Sequence, residues 1–204
     1  MKTLILAAIR CSLMFLVTGS LFSVQPVQAF TITMEQVGSN VVANGSGAIN
    51  LTGLTFDGSG SGGAADVFAS SGGISIGATV DTTLYNGFTG PTSFGSGGVH
   101  LANTSSGDFV SIFASGVFFF QDIFLPTTYV SNAALSDSMT FNNATFATLG
   151  VIPGTYTWTW GTGLPNQNFT LIIGRAGVPD GGSTVSLLGC ALLGVAVLRR
   201  KLSC

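Results

Sequence analysis

Only 7% of the 204 residues are charged, against about a quarter in an average soluble domain. Yet the chain carries 16 phenylalanines and many Val, Ile and Leu, which excludes ordinary disorder. The basic residues are Lys2, Arg10, Arg175, Arg199, Arg200 and Lys201, so the region from Phe30 to Gly177 sets seven acids against Arg175 alone, a net charge of about −6 that excludes a basic groove for nucleic acid. That region also lacks cysteine, because Cys11, Cys190 and Cys204 all lie outside it, and so it holds neither a disulfide framework nor a thiolate metal site.

The first predicted element is a secretory signal peptide over residues 1–29. Lys2 and Arg10 give a positive start, and residues 11–24 form an apolar run of the length such signals use, short for a spanning helix. Val27 and Ala29 occupy the two positions a signal peptidase reads, which predicts cleavage after Ala29.

From Phe30 the pattern has period two. Ile74, Ile76, Ala78 and Val80 alternate with Ser75, Gly77 and Thr79; Tyr156, Trp158 and Trp160 alternate with Thr155, Thr157 and Thr159; Phe169, Leu171 and Ile173 alternate with Thr170 and Ile172. Such alternation of β-branched and aromatic residues marks half-buried strands. Further strands are predicted at 30–34, 48–56, 98–102, 109–113, 116–120, 128–131 and 138–141, and a helical period only at 143–149. Turns are predicted in the Gly/Ser/Asn/Pro clusters at 58–63, 70–73, 95–98, 103–107 and 161–168. The expectation is an all-β domain over residues 30–177, an antiparallel β-sandwich or jelly roll. Within it, Phe118-Phe119-Phe120 makes both faces of one strand apolar, which reads as a strand buried between two layers, with an association patch on one face as the alternative.

Chemistry is sparse. His100 is the only histidine, and its alternation with Val99 and Leu101 points it away from them. No Gly-x-Ser-x-Gly stands in a strand–turn–helix context, and the acids are dispersed singly. The expectation is therefore no enzyme activity and no cofactor. Asp57-Gly58-Ser59-Gly60-Ser61-Gly62 matches the opening of an EF-hand loop, but Phe68 stands where its bidentate glutamate belongs, so the segment reads as a flexible Gly-Ser loop. Five Asn-x-Ser/Thr sequons begin at Asn44, Asn50, Asn103, Asn143 and Asn168.

A second membrane signal is predicted at the C-terminus, over residues 178–204. Val178-Pro179-Asp180-Gly181-Gly182 is a turn-rich motif. The uncharged residues 183–198 follow, a predicted transmembrane helix of about 24 Å against a hydrocarbon core of about 30 Å, and hence a weak anchor. Arg199, Arg200 and Lys201 form the membrane stop, held on the cytoplasmic side by the positive-inside rule. Both ends therefore predict the same topology, with the β domain outside.

This three-part tail resembles the PEP-CTERM sorting signals handled by exosortases, and its Val-Pro-Asp opening looks closest to the VPDSG-CTERM variant, departing from it at Gly181. Asn143-Ala144-Thr145-Phe146, Leu149-Gly150-Val151, the run from Pro153 to Gly163, and Phe169 to Gly174 also resemble a stretch common near the end of PEP-CTERM substrates. The resemblance implies an exosortase-type partner, a transient membrane intermediate and a final place at the cell surface or outside it. It implies a structural or adhesive role in an envelope or extracellular matrix, with contact to extracellular polysaccharide. The alternatives are a secreted carbohydrate- or calcium-binding module and a secreted hydrolase.

Overall fold

The computed structural model describes residues 28–115 and 121–174, and these form two sheets around one apolar core. The strands are β1 (Thr31–Val37), β2 (Asn40–Ala48), β3 (Thr55–Ser61), β4 (Asp66–Phe68), β5 (Gly73–Ile76), β6 (Asp81–Asn86), β7 (Val99–Leu101), β8 (Thr104–Gly107), β9 (Val110–Phe113), β10 (Asp122–Pro126), β11 (Ala134–Phe141), β12 (Gly154–Thr159) and β13 (Asn168–Ile173). One sheet runs β12-β13-β1-β2-β11-β8 and the other β3-β6-β10-β9-β5-β4-β7. The only helical element among the described residues is a single 3-10 turn at Ala69–Ser71.

The arrangement is sandwich-like, as the alternation predicts, with one departure from antiparallel order. β1 pairs β2 antiparallel but β13 parallel, with Thr31 opposite Thr170 and Met34 opposite Ile173. The first and last strands therefore lie side by side and run the same way. The chain enters this sheet at one end and leaves it, at Gly174, at the other.

The core forms where inward residues of the two sheets meet. Ile32, Met34, Val41, Met139, Trp158, Phe169 and Leu171 come from one sheet, and Val67, Ile74, Ile76, Val110, Ile112, Ile123 and Leu125 from the other. Phe169 ties the aromatic part together, 5.3 Å from Phe30 and edge-on to Trp158 at 5.6 Å. The Trp158 indole N–H donates to Pro91 O at 2.8 Å, and that of Trp160 to Asn50 O at 2.7 Å, so neither buried indole lacks a partner.

The last hairpin follows the sequence pattern closely. Trp158 and Trp160 are buried while Thr155, Thr157 and Thr159 are exposed. Several other expectations need correction. The predicted strand at 48–56 is instead the end of β2, a connection, and the start of β3. Residues 128–131 are turn and irregular structure, with the strand just before them as β10. The stretch at 143–149 is a series of turns, in which Thr145 and Thr148 bond each other's backbone and side chains. The Gly-Ser run at 58–63, predicted as a loop, is largely β3, and 104–107, also predicted as a turn, is β8. The predicted strand at 116–120, including the three phenylalanines, lies outside the described residues, as do the tail and all of the signal peptide before Gln28.

Candidate functional site

The strand pleat gives the seven-stranded sheet two chemically distinct faces. Val67, Ile74, Ile112 and Ile123 are in register across β4, β5, β9 and β10, and all point into the core. The alternate residues occupy the opposite face: Asp66, Ser75, Ser111 and Phe124 in one row, and Phe68, Gly73, Phe113 and Asp122 in the next. Leu84 and Phe109 are buried on this face, outside the main core cluster.

Acids are the reactive groups of this outer face. Asp122, at the start of β10, is 1% exposed, and neither carboxyl oxygen has a hydrogen-bond partner. The Asp57 carboxyl lies within hydrogen-bonding reach of it. Burial, with the neighbouring Asp57 charge adding to it, pushes Asp122 up to about 6. Asp57 reaches so far because the β3–β6 register shifts between Phe56 and Gly58, a bulge that puts Asp57 out of the regular ladder. The pairing of Ile123 with Tyr85 sets Asp122 level with Asn86, which in turn pairs Thr55 on β3. Two carboxylates, an amide and a hydroxyl thus share one corner of the face.

Asp66 stands at the other end of the adjoining row. Burial raises its pKa, and the nearby Ser75 hydroxyl opposes the shift. The Ser75 and Ser111 hydroxyls are themselves joined at 2.9 Å. A second buried acid belongs to the other sheet. Asp137 lies on the core side of β11, opposite Gly45, with both oxygens lacking a partner. Burial first, and then the charge of Asp108, push it up to about 7, while the Gly45 backbone opposes the shift without completing a hydrogen bond. Asp108 is better satisfied, with its Oδ2 accepting from the Ser136 N–H at 2.9 Å. No Lys or Arg occurs between residues 28 and 174 to compensate any of these carboxylates.

The sequence reading missed these groupings, since it took the acids as dispersed. Pairing across β6, and between β11 and the β8–β9 connection, brings together residues 65 and 29 positions apart in the chain. No group of three or more His, Cys, Asp or Glu side chains within metal-holding reach occurs among the described residues. The EF-hand-like opening at Asp57 is strand, which replaces the flexible-loop reading.

His100 sits on β7, half-buried, with Val99 and Leu101 exposed on the opposite face, as the alternation predicts. It borders a groove of about 240 Å³ with Asn103, Phe141, Asn142 and Thr148, and none of the described lining residues is acidic. A more polar cleft of about 490 Å³ lies at the β12–β13 turn, between Thr89, Thr159, Trp160, Gly161 and Gln167. Gln167 organises that turn. Its Oε1 accepts from the N–H groups of Thr162 and Leu164 at 2.9 and 2.8 Å, and its Nε2 donates to Thr52 O at 2.5 Å. Among the sequons, Asn50 is 8% exposed and its amide donates to Pro165 O at 3.1 Å.

Of the predicted processing residues, only Ala29 is described; it bridges Ala48 across the start of β1. Val27, Val178, Pro179, Asp180, Gly181, Gly182, Arg199, Arg200 and Lys201 lie outside the described residues. No described helix is long and apolar enough to cross a membrane.

Comparison with known families finds one match in that tail. Residues 177–202 match the VPDSG-CTERM motif, a sorting signal of the PEP-CTERM type recognised by exosortase. The signal is consistent with export and a cell-surface fate. No curated protein and no solved structure matches the chain.

Proposed function

We propose that the protein is a surface component delivered in two steps and serving a structural or adhesive role at the envelope. The signal peptide at 1–29 exports the chain. The tail at 178–204 then holds it transiently in the membrane for an exosortase-type enzyme, and cleavage near the Val178–Gly182 motif passes residues 30–177 outward. The VPDSG-CTERM match is the observation that carries this reading. The β domain supports it in two ways. Its hydroxyl- and amide-rich surface, without a lysine or arginine from 28 to 174, suits contact with neutral polysaccharide. Its parallel β1–β13 pair ends at one end of the sheet, at Gly174, and leaves the β12–β13 turn, with the cleft at Gln167, at the opposite end.

Localisation of an epitope-tagged chain tests the proposal, with the tag in the exposed β1–β2 turn at Gly38-Ser39. Full-length protein should reach the surface or the medium in a form lacking the tail. A chain truncated before Gly177 should be exported and then remain unsorted. Identical distribution of the two forms contradicts the role given to the tail.

A further inference from the structure

We propose that Asp57, Asp122 and Asn86, with Thr55 beside them, form a calcium site on the outer face of the seven-stranded sheet. The inference stands apart from the sorting reading and needs no part of it.

Four observations lead there. Asp122 is buried, both its oxygens are without partners, and it is directed at a second carboxyl. An isolated buried carboxylate is strongly disfavoured unless something neutralises it. The described residues offer no lysine or arginine to do so, because none lies between residues 28 and 174. The neighbours set there by register, Asn86 and Thr55, add only oxygen acceptors or a hydroxyl, and their side chains are uncommitted to any hydrogen bond among the described residues. Finally, Asp57 is exposed while Asp122 is buried, so the corner opens to solvent on one side, as an entry path requires.

An all-oxygen set of two carboxylates, an amide and a hydroxyl is the donor chemistry of a hard divalent cation. The irregular geometry of a bulged edge favours calcium, which accepts six to eight oxygens loosely, over magnesium, which demands a regular octahedron. Water would complete the shell. The same argument fails for the pair of Asp137 and Asp108. Asp137 faces Gly45 beside the Phe30 ring, and Asp108 is already held by the Ser136 N–H.

The test uses the full-length chain in detergent at pH 8, freed of divalent ions and titrated with calcium by calorimetry and by thermal unfolding. Saturable binding is expected with half-saturation of the order of 10⁻⁴–10⁻³ M, the range of extracellular modules. At a hundredfold excess the unfolding temperature should rise by about 5–10 °C. Asp57→Asn, on the exposed bulge, and Asp122→Asn should each abolish binding and shift, while Asp137→Asn retains both. Should Asp122→Asn fail to fold, the Asp57→Asn result decides alone. No saturable binding up to about 10 mM overturns the proposal. So does a shift that survives Asp57→Asn, or one lost equally in Asp137→Asn. A magnesium response equal to that of calcium overturns the choice of ion.

Discussion

The carboxyl group of Asp137 occupies the space that any side chain at Gly45 would need. The two residues face each other across β2 and β11, and a Cβ at Gly45 would run into Asp137 Oδ1 and stand 2.8 Å from the Phe30 ring. Gly45→Ala should therefore overpack the core and cost about 1–3 kcal/mol. The double substitution Gly45→Ala, Asp137→Ala should recover part of that loss, since the clashing partner is gone. Denaturant melts of the four proteins of this cycle measure the coupling; strictly additive losses would show that the two side chains do not compete for one space.

The same carboxyl makes stability depend on pH. Its folded pKa of about 7 lies above the ordinary 3.8, so the folded state binds the proton more tightly than the unfolded chain. Stability is then greatest below about pH 4, falls as pH rises towards 7, and is level above that. Asp122, raised to about 6, acts in the same direction. For Asp137 the full effect is at most about 4 kcal/mol. Asp137→Asn should be about 2–4 kcal/mol more stable than the parent at pH 8 and nearly equal to it at pH 4. Urea titrations at the two values check this, and a parent protein more stable at pH 8 than at pH 4 contradicts it.

Gln167 holds the β12–β13 turn through one buried amide. Gln167→Leu keeps the bulk but strips the acceptor from the Thr162 and Leu164 N–H groups and the donor from Thr52 O. The loss should be about 2–4 kcal/mol, because groups left without partners cost more than a hydrogen bond contributes. Hydrogen exchange should accelerate first at Thr162 and Leu164. Unchanged protection there would mean that water replaces the amide without cost.

Asn50 fits the sequon pattern but lies inside the fold, with its side-chain amide donated to Pro165 O and its oxygen accepting from the Thr52 N–H at 3.0 Å. In a glycosylating host the folded domain should carry glycans at exposed Asn44 or Asn103 before Asn50. Glycopeptide mapping gives the order of occupancy.

The strands that the sequence reveals are those whose apolar residues alternate on one face. The Tyr156-Trp158-Trp160 and Phe169-Leu171-Ile173 sets read correctly because their threonine partners meet water or each other. β2 is hidden because its core face includes Gly45 and Gly47, where glycine makes room for neighbouring chain and side chain rather than marking a turn. β3 is hidden because it is an edge strand of Gly and Ser held mainly by backbone pairing to β6. Ser75 defeats simple alternation, since the sheet is buried on both faces there. The acid pairs could not be read at all. A lone Asp between hydroxyl residues reads as surface, and only long-range strand pairing shows which of them meet.

Intact-mass analysis of the protein recovered from the outer surface or medium of its native host tests the central claim most directly. The account predicts a chain that begins at Phe30, whose backbone N then still bonds Ala48 O at 3.0 Å, and that ends within or just after the Val178–Gly182 motif. Recovery of the protein only as an unprocessed chain from Met1 to Cys204 inside the cell would contradict it.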